Sequence, residues 1–108
     1  MDRLEYDEII IDILKYINVN LQKKITLDIL EAEFHINKYY ICHLFKKNTG
    51  FTVIEYIIYK RIMRAEELLI SGTPIIDVSS QVGFGDYTNF YKSFKKILGI
   101  SPKKYMNR

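Results

Sequence analysis

The sequence has few of the residues that cross-link a chain or interrupt helices. Its 108 residues include one cysteine, Cys42, which excludes an internal disulfide and a cysteine-based structural zinc site and is typical of a reducing compartment. Two prolines and five glycines beside 48% hydrophobic residues favour helices over a strand-rich sandwich with many turns. The densest apolar run, Ile9–Ile11, is far shorter than a membrane span or a signal-peptide core. We therefore expect a soluble, cytoplasmic, all-α protein.

The sequence also lacks the patterns that mark an enzyme or a cofactor protein. No catalytic triad, phosphate-cradling glycine loop or pair of catalytic carboxylates stands out against the helical pattern. His35 and His43 have acidic neighbours, but their spacing matches no known metal site. Cys42 has no nearby base or resolving partner, so it is expected to be a small filler. We expect no catalytic activity, no metal and no cofactor.

Charge is unevenly distributed along the chain. The formal net charge is +3, but residues 1–37 hold eight acids and four bases, whereas residues 38–108 hold five acids and twelve bases. Basic surface attracts anionic partners. The later part of the chain is therefore the basic one.

Apolar spacing and capping residues predict seven helices. The first spans residues 6–21, and Thr26 and Asn37 are N-caps for the next two, the third of which ends at Gly50. The predicted inward stripe of the first helix is Ile10, Ile13, Leu14, Ile17 and Leu21.

The longest predicted helix is central. Thr52 and Glu55 form a capping box before an apolar stripe that continues to Ser71–Gly72. Thr73 caps the fifth helix with Pro74 at its first position, Asp86 caps the sixth, and Ser101–Pro102 opens a short seventh. The central stripe is Ile54, Ile58, Ile62, Ala65 and Leu69.

One pattern occurs twice. Phe45-Lys46-Lys47 followed by Gly50 returns 49 residues later as Phe94-Lys95-Lys96 followed by Gly99. On helical wheels of about 100° per residue, the apolar residues of both copies cluster on one side, and polar and basic residues lie opposite. The same offset pairs Tyr39 with Thr88, Cys42 with Tyr91, His43 with Lys92, and Lys46 with Lys95.

Each copy follows a short helix and a tight turn, as in helix-turn-helix proteins, whose second helix enters the major groove of DNA. His35–Ile36 and Gly83–Gly85 form the turns, and Ile36 or Phe84 packs into the shared core. The two glycines of the second turn allow positive φ angles. Tyr40 and Tyr56 are expected in or beside the core.

These residues resemble the DNA-binding domain of the AraC/XylS family of bacterial transcription regulators over nearly the whole chain. The sharper match runs from Ile75 to Phe84, from Phe90 to Lys96 and from Gly99 to Tyr105. Arg61, Ala65, Leu68 and Leu69 similarly resemble the linker helix of the family.

The chain departs from the family pattern at two positions. Glu31 stands where alanine is usual, and Gly85 where serine is common. A buried unpaired carboxylate would be costly, so either Glu31 faces solvent or the local structure adjusts.

The resemblance implies two helix-turn-helix subdomains, residues 1–51 and 72–108, joined by a rigid linker helix at 52–71 in a homeodomain-like all-α fold. One chain would then read successive major-groove segments of double-stranded DNA. The resemblance also implies contact with RNA polymerase, and a small-molecule effector would act only through a domain absent from this chain. The alternative is a helical protein-interaction module whose basic faces no longer bind DNA specifically.

The chemistry of the two exposed faces divides the expected DNA contacts into base readers and phosphate ligands. Lys92 can donate to guanine, Thr88 can bond a base or a phosphate, and His43 can read a base. Most of the lysines suit phosphates, which hold register and make binding salt-sensitive. The predicted DNA-binding residues are Lys38, Tyr39, Cys42, His43, Lys46, Lys47, Tyr87, Thr88, Tyr91, Lys92, Lys95 and Lys96.

Overall fold

Seven helices and no strand make up the described part of the chain. The computed structural model describes residues 7–108, and the all-α prediction is confirmed there; Tyr6, the predicted start of the first helix, lies outside the described residues. The helices are α1 (Glu8–Val19), α2 (Leu27–Phe34), α3 (Lys38–Thr49), α4 (Val53–Ile70), α5 (Ile75–Gln81), α6 (Tyr87–Leu98) and α7 (Pro102–Met106).

The chain divides into two compact units. Unit 1 comprises the residues up to Asn20 together with Lys24–Ile57, and unit 2 comprises Leu21–Lys23 together with Ile58–Arg108. The boundary falls within α4, so this helix contributes residues to both units.

Unit 1 is built around apolar side chains from α1, α2 and α3. Two edge-on aromatic contacts border its core, Tyr16 with Phe34 at 5.7 Å and Phe45 with Tyr56 at 5.6 Å between ring centroids. Tyr56 therefore lies beside the core as predicted, and its hydroxyl accepts a hydrogen bond from Asn18 Nδ2 at 3.0 Å. The fully buried residues of this core include Ile10, Ile13, Ile17, Leu30 and Phe45.

The predicted caps of unit 1 are confirmed. Thr26 Oγ1 accepts from the Ile29 amide, and Asn37 Oδ1 accepts from the Tyr39 amide at 2.8 Å. Thr52 and Glu55 exchange hydrogen bonds at the start of α4, as a capping box requires. Gly50, with φ +82°, ends α3 in the left-handed conformation.

Unit 2 has an aromatic core closed by α7. Phe90 and Phe94 are fully buried, and the ring of Tyr105 meets Phe94 edge-on at 5.6 Å. The Tyr105 hydroxyl donates to Glu66 Oε2 at 2.7 Å, and this bond to a carboxylate, together with burial, raises the pKa of Tyr105. The short α7 is therefore anchored to α4 and α6 by both packing and a charge-assisted hydrogen bond.

The predicted end of the first helix was wrong. Asn20 is the C-cap of α1, and Leu21 belongs to the following turn rather than to the apolar stripe. The Asn20 side chain donates to the Tyr16 carbonyl at 2.8 Å, which satisfies a group of the last helical turn. The Leu21 carbonyl accepts instead from Arg61 Nε at 2.9 Å within unit 2.

The single apolar stripe predicted for α4 was wrong at its start. Ile54 is 47% exposed, whereas Val53 and Ile57 are buried. Ile62, Ala65 and Leu69, further along α4, are buried in the core of unit 2. Because α4 contributes to two cores, its buried positions change face along the helix.

Two details of α5 and its following turn also differ from expectation. Helix α5 begins at Ile75 with Pro74 as its N-cap, so Thr73 is not the cap and Pro74 is not the first helical residue. Of the two glycines in the second turn, Gly83 has φ +99°, and Gly85 does not have positive φ.

Gly83 lies against an arginine that organises unit 2. Besides its bond to Leu21, Arg61 donates through Nη2 to the Lys23 carbonyl at 2.8 Å. A Cβ at Gly83 would overlap the Leu21 carbonyl oxygen and lie 2.8 Å from Arg61 Nε. Gly83 is therefore required by both backbone conformation and space.

None of the helices in residues 7–108 is long and apolar enough to cross a membrane.

Replacing Gly83 should destabilise the fold much more than replacing Gly72. Both glycines have φ near +100°, but a Cβ at Gly72 meets nothing within 4 Å. Gly72→Ala should cost about 1 to 2 kcal/mol of backbone strain, and Gly83→Ala about 1 to 3 kcal/mol more, because the overlap with Leu21 must be relieved. Urea unfolding measures both variants, and equal losses would contradict the close-packing role of Gly83.

Candidate nucleic-acid interface

The first candidate surface is the side of α3 that faces away from the core of unit 1. Asn37 starts the helix and Phe45 is fully buried, so the opposite side must face solvent. Tyr39 is 73% exposed there. The surface, called the α3 face below, consists of Tyr39, Cys42, His43, Lys46 and Lys47 on this side, together with Lys38 in the first turn, which helical periodicity puts on the side of Phe45. Lys38 and Cys42 are half-buried, and the others are exposed.

Lys38 is the one residue of the α3 face that the described structure holds in an ion pair. Its ammonium lies 2.8 Å from Asp28 Oδ1 and 5.7 Å from the centroid of the Tyr39 ring. The hydrogen bond to Asp28, with the attraction between the two charges, raises the pKa of Lys38. Its charge is thus offset by a carboxylate at the edge of the α3 face.

Glu31 joins α2 to α3. Its Oε2 accepts a hydrogen bond from the Lys38 backbone amide at 3.0 Å, and the residue is half-buried. This amide is among the first of α3, which have no partner within the helix. The carboxylate therefore has a partner, and the expected local adjustment is an additional cap on α3.

The second candidate surface is the solvent side of α6. Asp86 is the N-cap of this helix, and its Oδ1 accepts a hydrogen bond from the Asn89 amide at 2.8 Å. Phe90 and Phe94 are fully buried on the opposite side. The surface, called the α6 face below, consists of Thr88, Tyr91, Lys92, Lys95 and Lys96 on the solvent side, together with Tyr87 in the first turn, which helical periodicity puts on the side of Phe94. All six residues are exposed.

Aromatic contacts support two tyrosines of the α6 face. The Tyr87 ring lies 5.7 Å from Phe90 and 6.4 Å from Tyr91, between centroids. Phe84, from the preceding turn, meets Phe90 at 5.6 Å. Tyr87 and Tyr91 are 41% and 38% exposed, so each packs against a neighbouring ring while part of its side chain faces solvent.

The turns before the two faces use different means to reverse the chain. In unit 1, His35 ends α2 in the left-handed conformation with φ +57°, and Ile36 is half-buried. In unit 2, Gly83 takes this role, and the Arg61 guanidinium carbon lies 6.0 Å from the centroid of the Phe84 ring. Phe84 therefore packs against the core of unit 2 as expected, and the inward packing of Ile36 stays a prediction.

Tyr40 was wrongly expected in or beside the core. It is 54% exposed on the flank of α3. A turn of about 100° per residue puts it roughly 60° from His43 on the wheel, so helical geometry alone could have identified it. Tyr40 extends the aromatic surface beside the α3 face.

The two faces are suited to contact with a polyanion. Among residues 7–108, Lys46, Lys47, Lys92, Lys95 and Lys96 take part in no ion pair. The described residues also contain no cluster of three or more histidine, cysteine or acidic side chains that could hold a metal ion. Which of these side chains contact DNA stays a prediction.

Comparison with known proteins relates the chain to DNA-binding regulators. A family model described as a helix-turn-helix domain matches residues 30–108. The lactose operon transcription activator of Staphylococcus xylosus is 41% identical over 91 residues, which are 83% of this chain and 33% of that protein. The chain spans about a third of the length of this activator and of a second curated relative, an HTH-type transcriptional regulator of Escherichia coli that is 35% identical over 94% of this chain.

Solved structures share the fold. The C-terminal domain of AraT, a response regulator from Geobacillus stearothermophilus, is 27% identical with a TM-score of 0.91 over 98% of this chain and 88% of that one. The DNA-binding domain of AdpA, solved with a target DNA, has a TM-score of 0.86 over 94% of this chain and 92% of that one; at 20% identity this likeness shows the fold alone.

Releasing Lys38 from its ion pair should strengthen DNA binding. In Asp28→Asn the Lys38 ammonium loses its carboxylate partner and becomes free for a phosphate, so the slope of log K against log salt should steepen by up to about 0.9. Asp12→Asn, an exposed carboxylate on α1, removes the same charge and is the control. Fluorescence anisotropy titrations between 50 and 200 mM salt measure the slopes. Equal salt slopes for Asp28→Asn and Asp12→Asn would contradict the prediction that the ion pair keeps Lys38 from a phosphate.

Proposed function

Because the chain belongs to the AraC-type helix-turn-helix family, whose members are DNA-binding transcription regulators, we propose that it binds a specific double-stranded DNA sequence and thereby regulates transcription. In this proposal α3 and α6 each enter a major-groove segment. The observation that carries it is the repetition of one local design: in each unit a tight turn precedes a capped helix with a buried aromatic side and an exposed polar side.

The exposed residues divide into base readers and phosphate ligands by their chemistry. Lys92 donates to guanine O6 or N7, and Thr88 and Tyr91 contact neighbouring bases or phosphates. On the α3 face, Tyr39 contacts a thymine methyl or a phosphate, and His43 reads a base edge with at most two donors. The phosphate ligands are Lys46, Lys47, Lys95 and Lys96, joined by Lys38 when its ion pair with Asp28 opens, with Cys42 and Tyr87 lining the two faces.

The length of α4 supports a site of two groove segments. Its 18 residues give a helix of about 27 Å at 1.5 Å per residue, comparable with the ~34 Å of one DNA turn between successive major-groove segments. We propose that residues 1–51 and 72–108 are the two subdomains that read DNA and that residues 52–71 are the linker between them. The two faces carry different side chains, so one chain would read an asymmetric site.

Further partners belong to the proposal as well. Family membership supports contact with RNA polymerase, and a small-molecule effector would act through a domain outside this chain. The Staphylococcus xylosus relative is named as an operon activator, which supports a role in transcription.

Selection of bound duplexes from a random pool tests the proposed function. We expect enrichment of two short, different sequence blocks whose centres are about one helical turn, 10–10.5 base pairs, apart. The protein-interaction alternative predicts no enrichment, because a module that has lost specific contact prefers no duplex sequence. Absence of any enriched block would overturn the proposed function.

Two lysine variants should separate base reading from phosphate contact on the selected duplex. Lys92→Ala should weaken specific binding by about 1 to 3 kcal/mol, whereas Lys96→Ala should reduce the salt slope by about 1 and leave sequence preference intact. Tyr39→Ala should weaken binding by a similar 1 to 3 kcal/mol through the other block. Unchanged affinity of the Lys92 variant, measured by fluorescence anisotropy, would refute the assignment of α6.

A further inference from the structure

The excess positive charge of the protein belongs to unit 2. The segments of unit 1, residues 1–20 and 24–57, contain nine acids and six bases, a net charge of −3. The segments of unit 2 contain four acids and ten bases, a net charge of +6. The electrostatic attraction for a polyanion therefore comes from unit 2.

Within unit 2, the cations concentrate at the C-terminal end of the chain. Residues 87–108 contain six basic side chains and no acid after Asp86. Four of the six lie on α6 or stack on the core, but Lys103 and Lys104 lie on α7, outside both recognition helices. Neither takes part in an ion pair among residues 7–108.

The packing of α7 fixes the direction in which these two lysines project. Pro102 and Tyr105 are buried, and a turn of about 100° per residue puts Lys103 and Lys104 on the opposite side. Tyr105 is held by Phe94 and Glu66, as described above, and by Arg108, whose guanidinium carbon lies 4.2 Å from the centroid of its ring. The two exposed ammonium groups are thus attached to a helix anchored at several points.

The α7 lysines are close along the chain to the last lysines of α6. Three residues, Gly99–Ser101, separate the two helices. Four Cα–Cα steps from Leu98 to Pro102 span at most about 14 Å, so Lys95 and Lys96 at the end of α6 and Lys103 and Lys104 at the start of α7 can contact neighbouring phosphates of one DNA strand. Phosphates on one strand of duplex DNA recur about every 3.4 Å along the helix axis.

We propose that Lys103 and Lys104 bind the phosphodiester backbone of DNA next to the groove segment read by α6, forming one phosphate-binding patch with Lys95 and Lys96. This inference rests on the proposed function and adds a contact that neither recognition helix supplies. Because phosphates carry no sequence information, the patch contributes affinity and register rather than base preference.

Charge variants of α7 test the proposal on the selected duplex. In Lys103→Gln/Lys104→Gln, the slope of log K against log salt should be less steep by about 1 to 2, since about 0.9 is lost per phosphate contact. The ratio of affinities for the selected and a scrambled duplex should stay the same. Lys103→Arg/Lys104→Arg keeps both charges and should restore the slope of the natural protein.

The control variant removes two positive charges, as the α7 variant does, but at lysines outside α7. Lys23 and Lys24 are exposed, and Lys23→Gln/Lys24→Gln should leave the slope unchanged. An equal loss of slope in this control would overturn the proposal, because net charge alone would then explain the effect. A slope in the α7 variant equal to that of the natural protein would also overturn it, as expected if these lysines bind an acidic protein instead. Absence of any duplex preference in the natural protein would instead refute the proposed function itself.

Discussion

The rest of the structure depends on the burial of one aromatic side chain in the second helix of each helix-turn-helix, α3 in unit 1 and α6 in unit 2. Phe45 in α3 and Phe94 in α6 are equivalent in the 49-residue repeat, and both are fully buried. Removing such a ring from a core costs about 3 to 5 kcal/mol, far more than one exposed lysine contributes. The rings therefore fix the rotation of each helix, and the polar side must face outward.

The two units reach this common design with different chemistry. Unit 1 places the carboxylates of Asp28 and Glu31 at the start of α3, where one pairs with the Lys38 side chain and the other caps its amide. Unit 2 has no acid after Asp86, and its tyrosines rest on the buried phenylalanines. Each face carries three lysines, but Lys38 is paired with Asp28, so the α6 face is the more cationic of the two. Under the proposed function, unit 2 would supply more of the salt-dependent affinity.

Local features of the structure could be predicted from the sequence because short-range contacts determine them. The caps at Thr26, Asn37 and Asp86 depend on bonds that reach at most three residues, and the outward sides of α3 and α6 follow from helical periodicity. Their assignment as DNA contacts remains a prediction.

The features that the sequence did not reveal depend on long-range contacts. The Leu21 carbonyl accepts a hydrogen bond from Arg61, 40 residues away, which no local pattern indicates. The change of buried face along α4 arises because two cores compete for one helix, which a single periodic stripe cannot represent. Tyr40 differs from these, since its exposure follows from the helical wheel, whereas the general tendency of tyrosine to pack predicts burial.

The central claim is that one chain reads an asymmetric DNA site with two different helix faces. Hydroxyl-radical footprinting of the selected duplex, at a measured protein-to-DNA ratio, tests this most directly. The claim predicts two protected segments about one helical turn apart at one chain per duplex. A single protected segment at that ratio, or two segments that appear only with two chains per duplex, would contradict it.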